Sequence, residues 1–145
     1  MNTNDKSVVL NKKVILSTIW IFVVLNYLYC DVVSLMDAGL LRQYLAGNVG
    51  GMEMTQGFFL VAAILMEISI SMVLLSRMLP YRANRWANII AGTITTAVQT
   101  MTLFVGSAAM YYMFFSVIEI ASTALIVWIA WKWTNPEDGN PSIIK

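Results

Sequence analysis

Two glutamates lie within long apolar stretches that contain no basic residue to neutralise them. Glu67 falls in the stretch 54–75, and Glu119 falls in the stretch 110–131. A buried ionisable side chain without a partner is expensive, so its presence marks a candidate functional site. A pair of such carboxyl groups can host a proton, a metal cation or an amine-bearing ligand. We therefore expect both glutamates to bind a ligand.

Two amides occupy matching positions in two further apolar stretches. Asn26 lies 13 residues after Lys13, and Gln99 lies 14 residues after Arg85. At a rise of about 1.5 Å per residue, both distances correspond to about 20 Å along a helix. Glu67 and Glu119 lie about 15–20 Å from the nearest basic residue by the same measure. The spacing predicts that these four side chains meet at a similar level and line one polar cavity.

Three more polar residues extend this candidate site. Tyr27 and Asp31 are four residues apart, which places them on one helix face, and Tyr112 shares a face with Glu119. An alternative reading is that all these polar groups only hydrogen-bond between helices, at about 0.6–2 kcal/mol per contact. The predicted ligand-binding set is Glu67, Glu119, Asn26, Gln99, Asp31, Tyr27 and Tyr112.

Two absences from the sequence exclude several chemistries. The chain contains no histidine, which excludes His-ligated haem, His-ligated zinc and His-based triads. Cys30 is the single cysteine, so no internal disulfide or Cys-x-x-Cys motif can form, and we interpret it as a packing residue. No basic face suited to nucleic acid is present. We predict no catalytic residue, no metal site and no cofactor.

The elements that must position these residues follow from composition. Apolar residues make up 59% of the 145 residues and charged residues 12%, against about 25% charged in an average soluble domain. A membrane-spanning helix needs about 20 mostly apolar residues. Four stretches meet this length, at 14–36, 54–75, 86–106 and 110–131. The sequence predicts an all-α membrane protein, a four-transmembrane-helix bundle.

The distribution of basic residues predicts the orientation. Lysines precede the first stretch, three arginines crowd the link between the second and third, and Lys132 follows the fourth. The positive-inside rule then gives an N-in/C-in protein of the cytoplasmic (plasma or inner) membrane. We expect a cytoplasmic segment 1–13, a transmembrane domain 14–133 and a flexible cytoplasmic tail 134–145. The first stretch is too long for a cleaved signal peptide, and residues 39–45 could form a short amphipathic helix.

One segment carries a resemblance to a known group of proteins. The run Trp20-Ile-Phe-Val-Val-Leu-Asn-Tyr-Leu-Tyr-Cys-Asp31, followed by Met36-Asp-Ala-Gly39, resembles a family of small bacterial four-helix membrane proteins known only as a domain of unknown function. The architecture is distantly similar to that of DoxX-type proteins. The resemblance implies a membrane protein and supplies no reaction.

Three functions remain open at this point. The first is a bundle that binds or transports a small cationic or amphipathic ligand in a polar intramembrane cavity, with a homodimer as a candidate assembly. The second is an accessory or structural subunit whose polar residues only specify helix packing. The third is a membrane enzyme that acts on a lipid-like substrate, which the lack of histidine disfavours. We predict membrane lipids as partners and no nucleic acid.

Overall fold

The computed structural model describes residues 3–104 and 109–134, with side chains from residue 11 onward. This part of the chain is all-α apart from one tiny hairpin. The elements are α1 (Thr3–Met36), α2 (Ala38–Leu45), β1 (Asn48–Val49), β2 (Met52–Glu53), α3 (Gln56–Met78), α4 (Tyr81–Thr102) and α5 (Met110–Trp131). The strands β1 and β2 pair antiparallel. The predicted all-α class is confirmed.

Three helices are long and apolar enough to cross a membrane: α1 from Asn11, α3 and α5. This finding suggests a multi-pass membrane protein. Helix α4 covers most of the predicted third stretch but does not belong to this group. Its sequence includes two arginines in the first turns and several polar side chains that the fold buries, which lower its hydropathy. Residues 105 and 106 of that stretch, and 135–145 of the predicted tail, lie outside the described residues.

Local signals set the boundaries of the middle helices. Leu79 and Pro80 are both extended, so the chain leaves α3 and enters α4 through a two-residue link. Thr55 caps α3 by accepting the Phe58 N–H, and Asp37 caps α2 by accepting the N–H groups of Gly39 and Leu40. The Asp37 cap helps to explain why α2 forms. A short helix here is what the amphipathic segment 39–45 predicts.

The link between α2 and α3 turns on glycines. Gly47 has φ +71 and Gly51 has φ +89, in the left-handed region that favours glycine. Neither position would bring an added Cβ within 4 Å of another group. The backbone conformation, and not a lack of space, therefore requires glycine at both positions. The hairpin itself was not expected from the sequence.

Long-range hydrogen bonds show how the four long helices pack. Ser17 Oγ donates to the carbonyl of Val73 at 2.8 Å, and Tyr81 Oη donates to the carbonyl of Trp133 at 2.6 Å. The first half of α1, the end of α3, the start of α4 and the end of α5 therefore meet at one end of the molecule. We call this the basic end, because Lys12, Lys13, Arg77, Arg82, Arg85 and Lys132 lie there. The opposite end, which carries α2 and the β1–β2 hairpin, is the hairpin end.

The apolar core lies toward the basic end. Its buried members include Leu16 and Trp20 of α1, Met72 of α3, Ala91 of α4 and Ile126 of α5. Trp133 is also buried, and its ring packs edge-on against Tyr81 with 5.3 Å between centroids. This dense half of the bundle contrasts with the half near the hairpin end, where the helices leave a cavity.

Candidate ligand cavity

A cavity of about 290 Å³ lies between the four long helices, in the half nearer the hairpin end. Every long helix contributes to its wall. The lining residues are Tyr27, Cys30 and Asp31 from α1, Phe58, Val61, Ala62, Leu65, Met66 and Ser69 from α3, Thr95, Val98, Gln99 and Thr102 from α4, and Tyr112 and Glu119 from α5. The walls are mostly apolar, and none of the lining residues is basic.

Glu119 is the most unusual residue of this wall. Its side chain is only 1% exposed, and neither carboxyl oxygen has a hydrogen-bond partner. Helix α5 buries it because Ser116, Glu119 and Thr123 follow one another at helical spacing on the inward face. A second unpartnered group, Ser69 Oγ, faces the same cavity from α3. Buried polar groups are nearly always paired, so two orphans in one cavity indicate a site that a ligand or water can satisfy.

Hydrogen bonds between α4 and α5 fix the wall beside Glu119. Gln99 Nε2 donates to Ser116 Oγ at 2.9 Å, and Tyr112 Oη donates to Thr102 Oγ1 at 2.7 Å. These two bonds hold Gln99 and Tyr112 in place from partner helices. The polar side of the cavity is therefore built by α4 and α5 together.

Helix α1 brings a phenol, a thiol and a carboxyl group to the opposite wall. Tyr27 is half-buried, Cys30 is buried, and Asp31 is exposed at the margin of the cavity. Outside the cavity, burial chiefly, and also the Asp31 carboxyl group, raises the pKa of the Tyr44 phenol on α2.

The cavity opens along α3. Phe58, Val61 and Met66 line it and are also exposed at the surface of the chain. Side-chain hydrogen bonds between α3 and α4 occur within the described residues only near the basic end, where Ser76 contacts Asn84 and Asn88. The two helices are thus joined at one end and leave the cavity accessible from the side.

Two of the four residues expected to meet at one level do not reach the cavity. Glu67 is exposed on the outer surface of α3, where it accepts a hydrogen bond from Ser71 Oγ at 3.2 Å. Asn26 donates to the carbonyl of Phe22 on its own helix at 2.8 Å. Equal depth along four helices does not determine which way each side chain points, and packing turns these two away. Gln99 and Glu119, with Tyr27, Asp31 and Tyr112, do come together.

The sequence reasoning missed a second polar cluster, at the basic end. Trp20 Nε1 and Ser76 Oγ both donate to Asn88 Oδ1, at 2.8 and 3.2 Å, and Asn88 Nδ2 donates to Asn84 Oδ1 at 2.6 Å. Asn84 Nδ2 in turn donates to the carbonyl of Ser76 at 2.6 Å. These side chains are fully buried and paired with one another, so the cluster fills the space between the helices at the basic end.

A signal for this cluster was present in the sequence. The small and polar stripe of α4, which includes Gly92, Thr95 and Gln99, continues backward at helical spacing to Asn88 and Asn84. Ser69 could have been found in the same way, since it lies on the inward side of α3 with Met72 and Ser76. Cys30, interpreted as a packing residue, is buried and also contributes to the cavity wall.

The arrangement can hold a small molecule that carries both apolar and cationic or hydrogen-bonding groups. Within residues 3–104 and 109–134, no group of three His, Cys, Asp or Glu side chains is placed to hold a metal ion. The apolar walls, the single deep carboxyl group and the flanking amide and phenols are typical of small-molecule pockets, which are mostly apolar with a few placed polar groups.

Within the described residues, fold and site together define an all-α chain with three helices able to cross a membrane and a mostly apolar cavity, with a few polar groups, between its long helices. The chain belongs to DUF6326, a family of unknown function, which matches it over residues 7–139. This match confirms the expected membership of an uncharacterised family over most of the chain. No curated protein matches the chain, and no solved structure does.

Proposed function

We propose that this protein is a four-span, N-in/C-in protein of the cytoplasmic membrane. Three helices support this by their length and hydropathy. For α4, the support is that its polar side chains, such as Asn84, Asn88 and Thr95, are buried against the other helices, while Ile90, Ile94 and Met101 are exposed. The collection of basic residues at one end favours that end as the cytoplasmic one. A bacterial origin and an architecture similar to that of DoxX-type proteins are also part of what we propose.

We propose further that the cavity binds a small cationic or amphipathic ligand and that transport of this ligand is a natural extension of binding. The observation that carries the proposal is the buried Glu119 carboxyl group, which has no hydrogen-bond partner and faces the cavity. An amine group could donate to the free oxygens, and the apolar walls would cover its hydrocarbon part. Gln99 and Tyr112 lie beside it as further polar contacts.

The size and opening of the cavity limit the ligand. A volume of about 290 Å³ lies just below the range of about 300–1,000 Å³ found for small-molecule pockets. The exposure of the lining residues Phe58, Val61 and Met66 supports an opening on the side of the proposed bundle that would face lipid. A short-chain hydrophobic amine that partitions into the bilayer fits both constraints.

The test compares amines with uncharged molecules of the same shape. Purified protein in detergent is heated with a series of primary alkylamines and with the matching alcohols. We expect the amines to raise the unfolding temperature of the wild type and the alcohols to have a smaller effect. Glu119→Gln should abolish the difference, and Glu67→Gln, which changes a carboxyl group outside the cavity, should retain it.

Two results would contradict this proposal. One is a wild-type response to amines no larger than the response to alcohols. The other is an unchanged amine response in Glu119→Gln, which would show that the amines bind elsewhere. A circular-dichroism spectrum and an elution volume equal to those of the wild type would show that the variant is folded.

A packing-only role is the second candidate, and one observation favours it. Most polar side chains between the helices are paired with each other, as in the Gln99–Ser116 and Trp20–Asn88 hydrogen bonds. An accessory subunit would need such bonds and no ligand. Purification of the chain with one larger partner in fixed stoichiometry, together with no amine response, would support this function.

A further inference from the structure

The cavity contains three buried polar atoms that have no hydrogen-bond partner within the described residues. Two are the carboxyl oxygens of Glu119 on α5, and the third is Ser69 Oγ on α3. Both side chains are 1% exposed and line the same cavity. A primary ammonium group has three N–H donors, which equals the number of these acceptors. This part of the cavity therefore suits a primary ammonium group better than an amine with fewer N–H donors.

A second carboxyl group lies at the margin of the same cavity. Asp31 of α1 lines the cavity and is exposed. It is five residues from the end of α1 at Met36, whereas Glu119 is nine residues from the start of α5 at Met110. The difference of four residues corresponds to about 6 Å along a helix, so Asp31 lies nearer the hairpin end than Glu119. The two carboxyl groups thus lie at two levels of one cavity.

The charge of these two carboxyl groups is not balanced by the cavity wall. None of the lining residues that the structure describes is basic, and Arg42 of α2, at the hairpin end, does not line the cavity. The rest of the wall is mostly apolar and includes Leu65 and Val98. A ligand that matches this wall carries a positive charge at each end and a hydrocarbon chain between the charges.

We propose that the ligand is a short linear diamine with a primary ammonium group at each end. This inference rests on the proposed function, since it takes Glu119 as the site of the first ammonium group. That group donates to the Glu119 oxygens and to Ser69 Oγ, and the second ammonium group lies beside Asp31. The methylene chain is covered by the apolar walls. Because Asp31 is exposed, the second ammonium group keeps part of its hydration, which lowers the cost of binding it.

Three five-carbon ligands with the same chain separate the contributions of the two ends: pentanediol, aminopentanol and pentanediamine, each with its polar groups on the terminal carbons. Isothermal titration calorimetry of the purified protein in uncharged detergent at low salt gives their dissociation constants. We expect aminopentanol to bind more tightly than pentanediol. Pentanediamine should bind about sixfold more tightly than aminopentanol, from about twofold for its two equivalent ends and about threefold for one partly exposed ion pair.

The second ammonium group is assigned to Asp31 by a matched pair of variants. Asp31→Asn removes the charge with little change of shape and should reduce the preference for pentanediamine to about twofold, the contribution of the equivalent ends without the ion pair. Glu53→Gln removes an exposed carboxyl group of the hairpin end that does not line the cavity, and it should keep the wild-type preference. Binding of aminopentanol to Asp31→Asn would show that this variant is folded.

Failure of the diamine inference can be distinguished from failure of the proposed function. If aminopentanol binds no more tightly than pentanediol, or equally well to Glu119→Gln, the proposed function is wrong and the diamine inference falls with it. If aminopentanol binds through Glu119 but wild-type protein prefers pentanediamine only by the factor for its equivalent ends, the diamine inference alone is overturned. An undiminished preference in Asp31→Asn would overturn it as well. The wild-type comparison needs no variant, so a folding defect in Asp31→Asn would not remove the test.

Discussion

The indole N–H of Trp20 donates to the amide oxygen of Asn88 at 2.8 Å, although 68 residues separate the two in the chain. Both side chains are fully buried, and Asn88 also accepts from Ser76. This bond ties α1 to α4 at the basic end, where α3 joins them through Ser76. It is the point at which three of the four long helices are connected by side-chain hydrogen bonds.

Removal of the Asn88 side chain should therefore destabilise the fold. Asn88→Ala leaves the indole N–H of Trp20 without its acceptor in a buried place, and we expect the free energy of unfolding to fall by about 1–3 kcal/mol. Thr100→Ala is the matched control on the same helix, because Thr100 is exposed and, within the described residues, its hydroxyl bonds only to the carbonyl of Thr96. Unfolding in detergent mixtures measures both. Equal stability of the two variants would contradict a structural role for the cluster.

A second prediction concerns the close approach of α4 and α5 at Gly92. A Cβ at this position would lie 2.7 Å from Val127 Cγ2 and 3.4 Å from the carbonyl oxygen of Thr123. Gly92→Ala gains about 1 kcal/mol of helix propensity. We expect a net loss of stability all the same, since a β-branched valine has little freedom to move and overpacking costs about 1–3 kcal/mol.

The clash at Gly92 can be relieved from the other helix. Gly92→Ala combined with Val127→Ala should be more stable than the sum of the two single changes predicts, as a double-mutant cycle would show. Gly57→Ala is the control, because its nearest neighbour would be Thr55 Oγ1 at 3.8 Å, an ordinary contact. Additive effects at Gly92 and Val127 would indicate that the helices do not touch there.

The unpartnered carboxyl group of Glu119 leads to a prediction about stability without ligand. Glu119→Met replaces a buried polar group that has no partner by an apolar side chain of similar length. We expect the ligand-free protein to become more stable by about 1–3 kcal/mol, the desolvation cost of an unsatisfied group. Thermal unfolding in detergent without amines is the measurement. A large loss of stability would mean that Glu119 has a partner in solution.

Cys30 provides a reporter of access to the cavity. Its thiol is buried and lines the cavity, so reagents must reach it through the opening along α3. We expect small apolar maleimides to label it faster than bulky charged methanethiosulfonates. Leu45→Cys in a Cys30→Ala background is the exposed reference, since Leu45 is 81% exposed, and should react with both reagents quickly. Rapid labelling of Cys30 by the charged reagent would contradict a cavity that opens toward lipid.

Much of the helix layout could be read from the sequence, because it depends on hydropathy along the chain. The stretch 110–131 coincides with α5, and the short amphipathic segment at 39–45 lies within α2. The sequence predicts a start at 86 for this helix, later than the observed Tyr81, since its first turns hold arginines and asparagines that resemble a polar link. Those asparagines can be buried within the helix bundle because they pair with Trp20 and Ser76. Such partners are distant in sequence and become visible only in the packed structure.

The sequence predicts how far along its helix each site residue lies, but not to which side of the helix its side chain points. Gln99 and Glu119 do share a cavity, as their distances from the basic residues suggest. Glu67 lies at a similar level along its helix, but its side chain points outward, because the inward face of α3 is formed by Ser69, Met72 and Ser76. Helical spacing alone allows either face to turn inward when both carry apolar residues. Tertiary packing makes that choice.

The filled basic end has a consequence for the membrane itself. The cavity begins near the hairpin end and reaches only to Ser69, Thr95 and Glu119, and the buried, hydrogen-bonded layer of Trp20, Asn84 and Asn88 lies between it and the basic end. In the proposed orientation, this packed layer would separate the cavity from the cytoplasmic side of the membrane.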